Sequence, residues 1–146
     1  MSEFEFIKMN GLGNDFVIID QRINELDHSS TEVQHICSRD KGIGCDQLIY
    51  IRNSEISDIP LLKFYNPDGG EISACGNGTR CVANYLMEQD NKKEIKVVNN
   101  LIYVSIYSAI EIKLAITAIA AASIAYDWMA VVAKQRGAVP RPVGRI

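Results

Sequence analysis

The segment Ala74-Cys75-Gly76-Asn77-Gly78-Thr79-Arg80-Cys81 holds the residues best suited to chemistry. It sets a thiol directly ahead of residues that can start a helix. The first N–H groups of a helix have no partner within it and carry partial positive charge. They favour an anion, whether a bound carboxylate or the thiolate of Cys75. Gly76 lets a ligand or another backbone come close, and Asn77 is a suitable N-cap. A helix terminus contributes about 0.3–1 kcal/mol, up to about 2. It must therefore act with a second group, or with the bound substrate, to activate the thiol. The plain alternative is that Cys75 is a small buried apolar residue, a common role for cysteine.

The remaining candidates are weaker. Cys81 falls on the helix near its first turn and is expected in the core. Cys37 and Cys45 are eight apart, with no second pair at metal spacing, so no zinc site is expected. His28 and His35 lie in polar text without triad spacing and are expected at the solvated surface. Gly11-x-Gly13 has no third glycine in place for a dinucleotide fingerprint, so it is a turn.

These residues need elements to hold them. Glu3 to Lys8 alternate imperfectly, as in a strand with one buried face. Gly11-Leu12-Gly13-Asn14-Asp15 is turn chemistry, and Phe16 to Asp20 is a β-branched strand. Ser29 and Ser30 can cap a short helix over Thr31–Ser38, with Glu32 favourable in its first turn. Gln47–Ile51 and Leu61–Tyr65 read as strands. Asn66-Pro67-Asp68-Gly69-Gly70 is a strong turn. Glu71–Ala74 is extended, and a helix over Thr79–Gln89 carries Val82, Tyr85, Leu86 and Gln89 on one stripe. Glu94–Val98 closes the series. Many strands and one embedded helix predict an α+β fold without βαβ alternation.

Composition sets the outer bounds. The chain has 146 residues, 47% of them apolar and 23% charged. That excludes a disordered chain and a disulfide mini-protein. Net charge is −3, so nucleic acid is not an expected partner. Four cysteines without a signal peptide point to reduced thiols in the cytoplasm.

The averages hide a break near residue 100. Residues 1–100 carry 10 Lys/Arg and 16 Asp/Glu, and residues 101–146 carry 5 and 2. Two units are expected, residues 1–100 and an appended segment, residues 101–146. In the latter, 101–107 is β-like. An uncharged run over 114–126, rich in Ala and Ile, predicts a buried or partner-facing helix. It is shorter than the ~20 residues a membrane span requires, so no membrane partner is expected.

Four segments, in order, resemble the N-terminal half of diaminopimelate epimerases. They are Lys8-Met9-Asn10-Gly11-Leu12-Gly13-Asn14-Asp15-Phe16, Gly42-Ile43-Gly44-Cys45-Asp46-Gln47, Phe64-Tyr65-Asn66-Pro67-Asp68-Gly69 and Cys75 to Cys81. Position 10 departs, since the family usually has His or Gln where this chain has Asn10. The resemblance implies a strand-rich shell around a central helix and a pyridoxal-independent enzyme with no cofactor. It implies interconversion of LL- and meso-2,6-diaminopimelate, for lysine and peptidoglycan precursors, by two cysteines on opposite faces of the substrate Cα. It makes Cys75 the acid/base of this half. Asn14, Gln47 and Asn66 match positions that hydrogen-bond the substrate, and Gly76 and Asn77 match the backbone that caps its carboxylate.

The resemblance thins where the family's second half stands. Asn99 to Tyr107 is similar to the strand before the second cysteine. The family's Cys-Gly turn has no counterpart among Leu114-Ala115-Ile116-Thr117-Ala118-Ile119, although an Ala-rich run follows. Three readings of the tail stay open: internal deletion or decay, an unrelated tail after a frameshift, and a functional short form. An epimerase lacking useful turnover alone is therefore weighed against a non-catalytic domain binding an amino acid or anion. An exposed apolar face would favour a homodimer or other self-association.

Overall fold

The computed structural model describes residues 3–55, 57–99, 102–107 and 144–145. The element order is β1 (Glu5–Gly11), β2 (Asn14–Asp20), α1 (Ser30–Cys37), β3 (Gln47–Arg52), β4 (Leu61–Tyr65), β5 (Glu71–Ile72), α2 (Gly76–Asp90), β6 (Glu94–Asn99), β7 (Ile102–Tyr107) and β8 (Gly144–Arg145). The strands form one sheet in the order β7-β6-β4-β3-β2-β1-β8, with β5 paired to β4. The Ala-rich helix expected over the tail lies outside the described residues. No helix among the described residues is long and apolar enough to cross a membrane.

Local chemistry accounts for the turns and caps. β1 and β2 pair up to Gly11 opposite Asn14, joined by Leu12 at φ 53° and Gly13 at φ 90°. Positive φ at both central residues is the hairpin turn whose twist matches the strands. Ser29 caps α1, its hydroxyl accepting from Glu32 N–H while the Glu32 carboxylate accepts from Ser29 N–H. This reciprocal box satisfies two otherwise orphaned donors. α2 ends at Asn91, which adopts the left-handed conformation at φ 50° and donates to Met87 O, a usual way to stop a helix.

The mixed α+β character holds, but the expectation of no βαβ alternation is corrected. β2 and β3 run parallel with α1 between them. β4 and β6 also run parallel, with β5 and α2 between them. The first crossover includes two long irregular segments, residues 21–29 and 38–46, and the second carries the short strand β5 ahead of its helix, which hides the alternation from a local reading.

The two helices cover opposite faces of the sheet. Phe16, Ile18, Ile49, Ile51, Leu62 and Phe64 pack with Val82, Ala83 and Leu86 of α2. The alternate residues Val17, Ile19, Leu48 and Tyr50 pack with Val33, Ile36 and Cys37 of α1. The strand period of two puts these sets on opposite sides. Each large apolar side chain so buried contributes about 1.5–3 kcal/mol. Of the stripe expected on α2, Val82 and Leu86 are buried, Tyr85 is half-buried and Gln89 is exposed. β7 pairs with β6 along its length, and Val104 and Ile106 join the core under α2.

Candidate active site

Topology gathers the site at one end of the sheet. Parallel pairing brings the starts of β2 and β3 together, with Phe16 opposite Gln47. Antiparallel pairing then sets Leu48 opposite Tyr65 at the end of β4. Asn14, Gln47 and Asn66 therefore stand at the same edge. The N-terminus of α2 is pressed onto that edge at Gly78. A Cβ there would lie 2.7 Å from Ile49 Cδ1 and 3.1 Å from Phe64 Cε1. Only glycine allows this approach without repacking.

Cys75 stands at the mouth of α2. Its backbone is extended (φ −144°, ψ 107°), and its Sγ accepts from Gly78 N–H at 3.3 Å. Its carbonyl accepts from Thr79 N–H at 2.8 Å and from Thr79 Oγ1 at 2.7 Å. The expectation that Asn77 is the N-cap is corrected: Cys75 is the cap, and the helix starts at Gly76, three residues earlier than expected. Asn77 is drawn sideways instead. Its Nδ2 donates to Asn14 Oδ1 at 3.0 Å, and its Oδ1 accepts from Arg80. The space above Gly76 is open, with no heavy atom within 4 Å of an added Cβ once chain neighbours and the helix's own backbone are set aside.

Gln47 and Asn66 form the second pair. Gln47 Nε2 donates to Asn66 Oδ1 at 3.2 Å. Gln47 Oε1 is buried without a protein partner, and a buried unpaired acceptor is costly until a donor reaches it. The six expected residues thus form two joined groups at one edge: Cys75, Gly76, Asn77 and Asn14, then Gln47 and Asn66.

A charged clamp that the sequence reading did not assign braces this edge. Asp15 N–H donates to Asp46 Oδ2 at 2.8 Å, and Asp46 N–H donates to Asp15 O at 2.8 Å. Arg39 bridges both carboxylates at 2.9 Å. The Asn10 amide and the Arg39 guanidinium hold the Asp15 carboxyl below its ordinary range. The Asp15 N–H, followed by Arg39, does the same for Asp46. Each acid adjoins a site residue, Asn14-Asp15 and Asp46-Gln47, and that adjacency was the available signal.

The other thiols lie elsewhere. Cys81 is buried one and a half turns along α2, and burial pushes its thiol up to about 11. Cys37, the last residue of α1, and Cys45, in the loop that follows it, are buried on the opposite face of the sheet. His35 is exposed as expected. His28 corrects the surface reading: it is half-buried, stacks on Tyr50 and shares a 2.8 Å hydrogen bond with the Tyr50 hydroxyl. Burial lowers its pKa from the ordinary value. No group of three metal-ligating side chains occurs among the described residues.

Comparison with known proteins gives a consistent picture. The family model for diaminopimelate epimerase matches residues 6–101. The diaminopimelate epimerase of Phenylobacterium zucineum (strain HLK1) is 48% identical over 89 residues, covering 61% of this chain and 32% of that protein. That of Pelagibacter ubique (strain HTCC1062) is 47% identical over 96 residues, covering 66% and 34%. The chain therefore spans about a third of the length of these relatives. Among solved structures, a phenazine biosynthesis protein of the PhzF family from Enterococcus faecalis has a TM-score of 0.53 at 10% identity, covering 73% of this chain and 41% of that one. A methylitaconate-delta-isomerase has a TM-score of 0.53 at 12% identity, covering 73% and 35%. At these identities the likeness concerns the fold.

Proposed function

The chain belongs to the diaminopimelate epimerase family, and on that premise we propose that it carries one half of a thiol-based site for proton transfer at the Cα of 2,6-diaminopimelate. The observation that carries this reading is the placing of Cys75. Its half-exposed Sγ caps α2 beside the open space over Gly76.

In this reading the substrate α-carboxylate sits over Gly76 and Asn77, where free amides and the helix dipole favour negative charge. The Cys75 thiolate takes the α-proton: the Cα–H bond breaks, an S–H bond forms, and the electron pair remains on Cα. That pair delocalises into the carboxylate, and the amides that held it at rest stabilise the added charge. Asn14 is fixed by Asn77 as a polar wall. Gln47 Oε1 offers its unpaired acceptor to a substrate ammonium, and Asn66 holds the Gln47 side chain in register.

Inversion needs a second acid on the other face. The chain has no cysteine after residue 81. Cys81 is buried, and Cys37 and Cys45 lie behind the sheet. Ile116 and Ile119, near the family's missing Cys-Gly turn, lie outside the described residues and carry no transferable proton. We therefore assign this chain, acting alone, a one-face site that removes and returns the α-proton without useful epimerisation. The cellular setting under this reading is the cytoplasm, in synthesis of lysine and peptidoglycan precursors.

A second reading, an amino-acid or anion binder without proton transfer, is favoured by the same open N-terminus of α2 over Gly76, to which this chain opposes no thiol after Cys81. Both readings require binding. Titrating the full chain with LL-diaminopimelate should shift the amide resonances of Gly76, Asn77 and Gly78 in NMR spectra, and Asn14→Ala should weaken the titration. Unshifted amides at millimolar ligand would overturn both readings.

A further inference from the structure

Cys37 ends α1, and Cys45 stands two residues before β3. Their sulfurs are 3.4 Å apart, with the Cys45 S–H donating to Cys37 Sγ. Cys45 N–H also donates to Cys37 O at 3.1 Å, so the two main chains are already held together. The intervening loop is fixed as well. Gly42 N–H donates to Ser38 O, and the Ile43 and Gly44 N–H groups both donate to Ile36 O, each at 3.0 Å. A disulfide has an S–S bond of about 2.05 Å, so the sulfurs need approach by only about 1.3 Å from their present distance.

We propose that Cys37 and Cys45 are a modification site, a buried dithiol that a small hydroperoxide converts to an intramolecular disulfide. The pair is separate from Cys75, which lies at the edge covered by α2. Both thiols are 2% exposed, which admits a small oxidant during local opening and excludes a protein-sized one. The donated S–H from Cys45 favours the thiolate on Cys37, and accepting partner and burial together hold the Cys45 thiol protonated. Whether Cys37 attacks first or the two roles are exchanged, the same disulfide forms.

The Cys37 thiolate attacks the peroxide, so an S–O bond forms and the O–O bond breaks. The leaving oxygen takes a proton and departs as water or alcohol. Cys45 then loses its proton and attacks the sulfenic sulfur. The S–S bond forms, the S–O bond breaks, and hydroxide leaves with that proton as water. Two thiols are oxidised and one peroxide is reduced. The new bond ties the end of α1 to the strand entry that carries Asp46 and Gln47.

The test is to treat the full chain with hydrogen peroxide, block free thiols with an alkylating reagent after unfolding, and digest with trypsin. Cleavage at Arg39 and Lys41 separates the two cysteines. The expected result is a Cys37–Cys45 linked peptide pair, released by a reducing agent and formed equally in Cys75→Ala. Cys37 and Cys45 both recovered alkylated while Cys75 is oxidised would overturn the proposal, as would a predominant link from either residue to Cys75.

Discussion

The Gly78 N–H donates to Cys75 Sγ across 3.3 Å, so the thiol proposed to act on substrate is also the N-cap of α2. Cys75 also packs partly against the core under α2, so a change at this sulfur acts on the fold as well as on any chemistry. A hydroxyl can take over the capping bond, whereas a methyl group cannot. Cys75→Ala should lose about 0.5–2 kcal/mol of stability, and Cys75→Ser should stay within about 0.5 kcal/mol of the parent. Urea denaturation checks the order. Equal stabilities would mean that the capping bond contributes nothing.

The thiols should differ in reactivity. With iodoacetamide near neutral pH, Cys75 should label first, and the buried Cys37, Cys45 and Cys81 should label more slowly, through local opening or unfolding. Mass spectrometry of partly alkylated protein reads the order, and equal labelling of all four would contradict the burial pattern.

The raised Cys81 thiol sets a pH dependence. Its ordinary value is 9.0 and its folded value about 11, so above pH 9 the unfolded chain gives up this proton before the folded one. The stability it contributes is full below pH 9 and is lost as pH rises toward 11. Cys81→Ala should flatten the stability profile over that interval in denaturation series, whatever its cost at pH 7.

The Arg39 clamp joins an acceptor of a backbone N–H, Asp46, to a more exposed cation. Asp46→Ala leaves the part-buried Asp15 N–H without its carboxylate and should cost about 0.5–1.5 kcal/mol. Arg39→Ala removes ion pairs from a side chain that is 55% exposed and should cost at most about 1 kcal/mol. Equal costs would show that the ion pairs, and not the backbone acceptor, fix the edge.

Much of this arrangement was legible in the sequence because it is local. Gly11 to Asp15, Ser29 with Glu32, and Asn66 to Gly70 announce their turns and caps through residues with specific backbone preferences. Leu61–Tyr65 was bounded correctly by Pro60 and Asn66. The missed features depend on distant partners. Asn77 is a better intrinsic cap than Cys75, yet Asn14 and Arg80 claim its amide. The parallel pairing of β2 with β3 is set by what α1 covers, which no strand pattern records. His28 is drawn inward by Phe4 and Tyr50, from separate parts of the chain.

Gly78 tests whether the helix must touch the sheet. A Cβ there would crowd Ile49 and Phe64, so Gly78→Ala should cost about 1–3 kcal/mol and lift the first turn of α2. Thermal denaturation gives the cost, and a faster Cys75 alkylation rate should accompany it.

The central claim is that Cys75 serves one face of the substrate and that this chain supplies no acid for the other. Purified full chain, incubated with LL-diaminopimelate in heavy water, reports both halves of that claim. The expected result is slow loss of the α-proton NMR signal, abolished in Cys75→Ala, with the LL configuration retained on chiral chromatography. Meso product that disappears in Cys75→Ala would contradict the account, because another residue would then be delivering a proton to the opposite face.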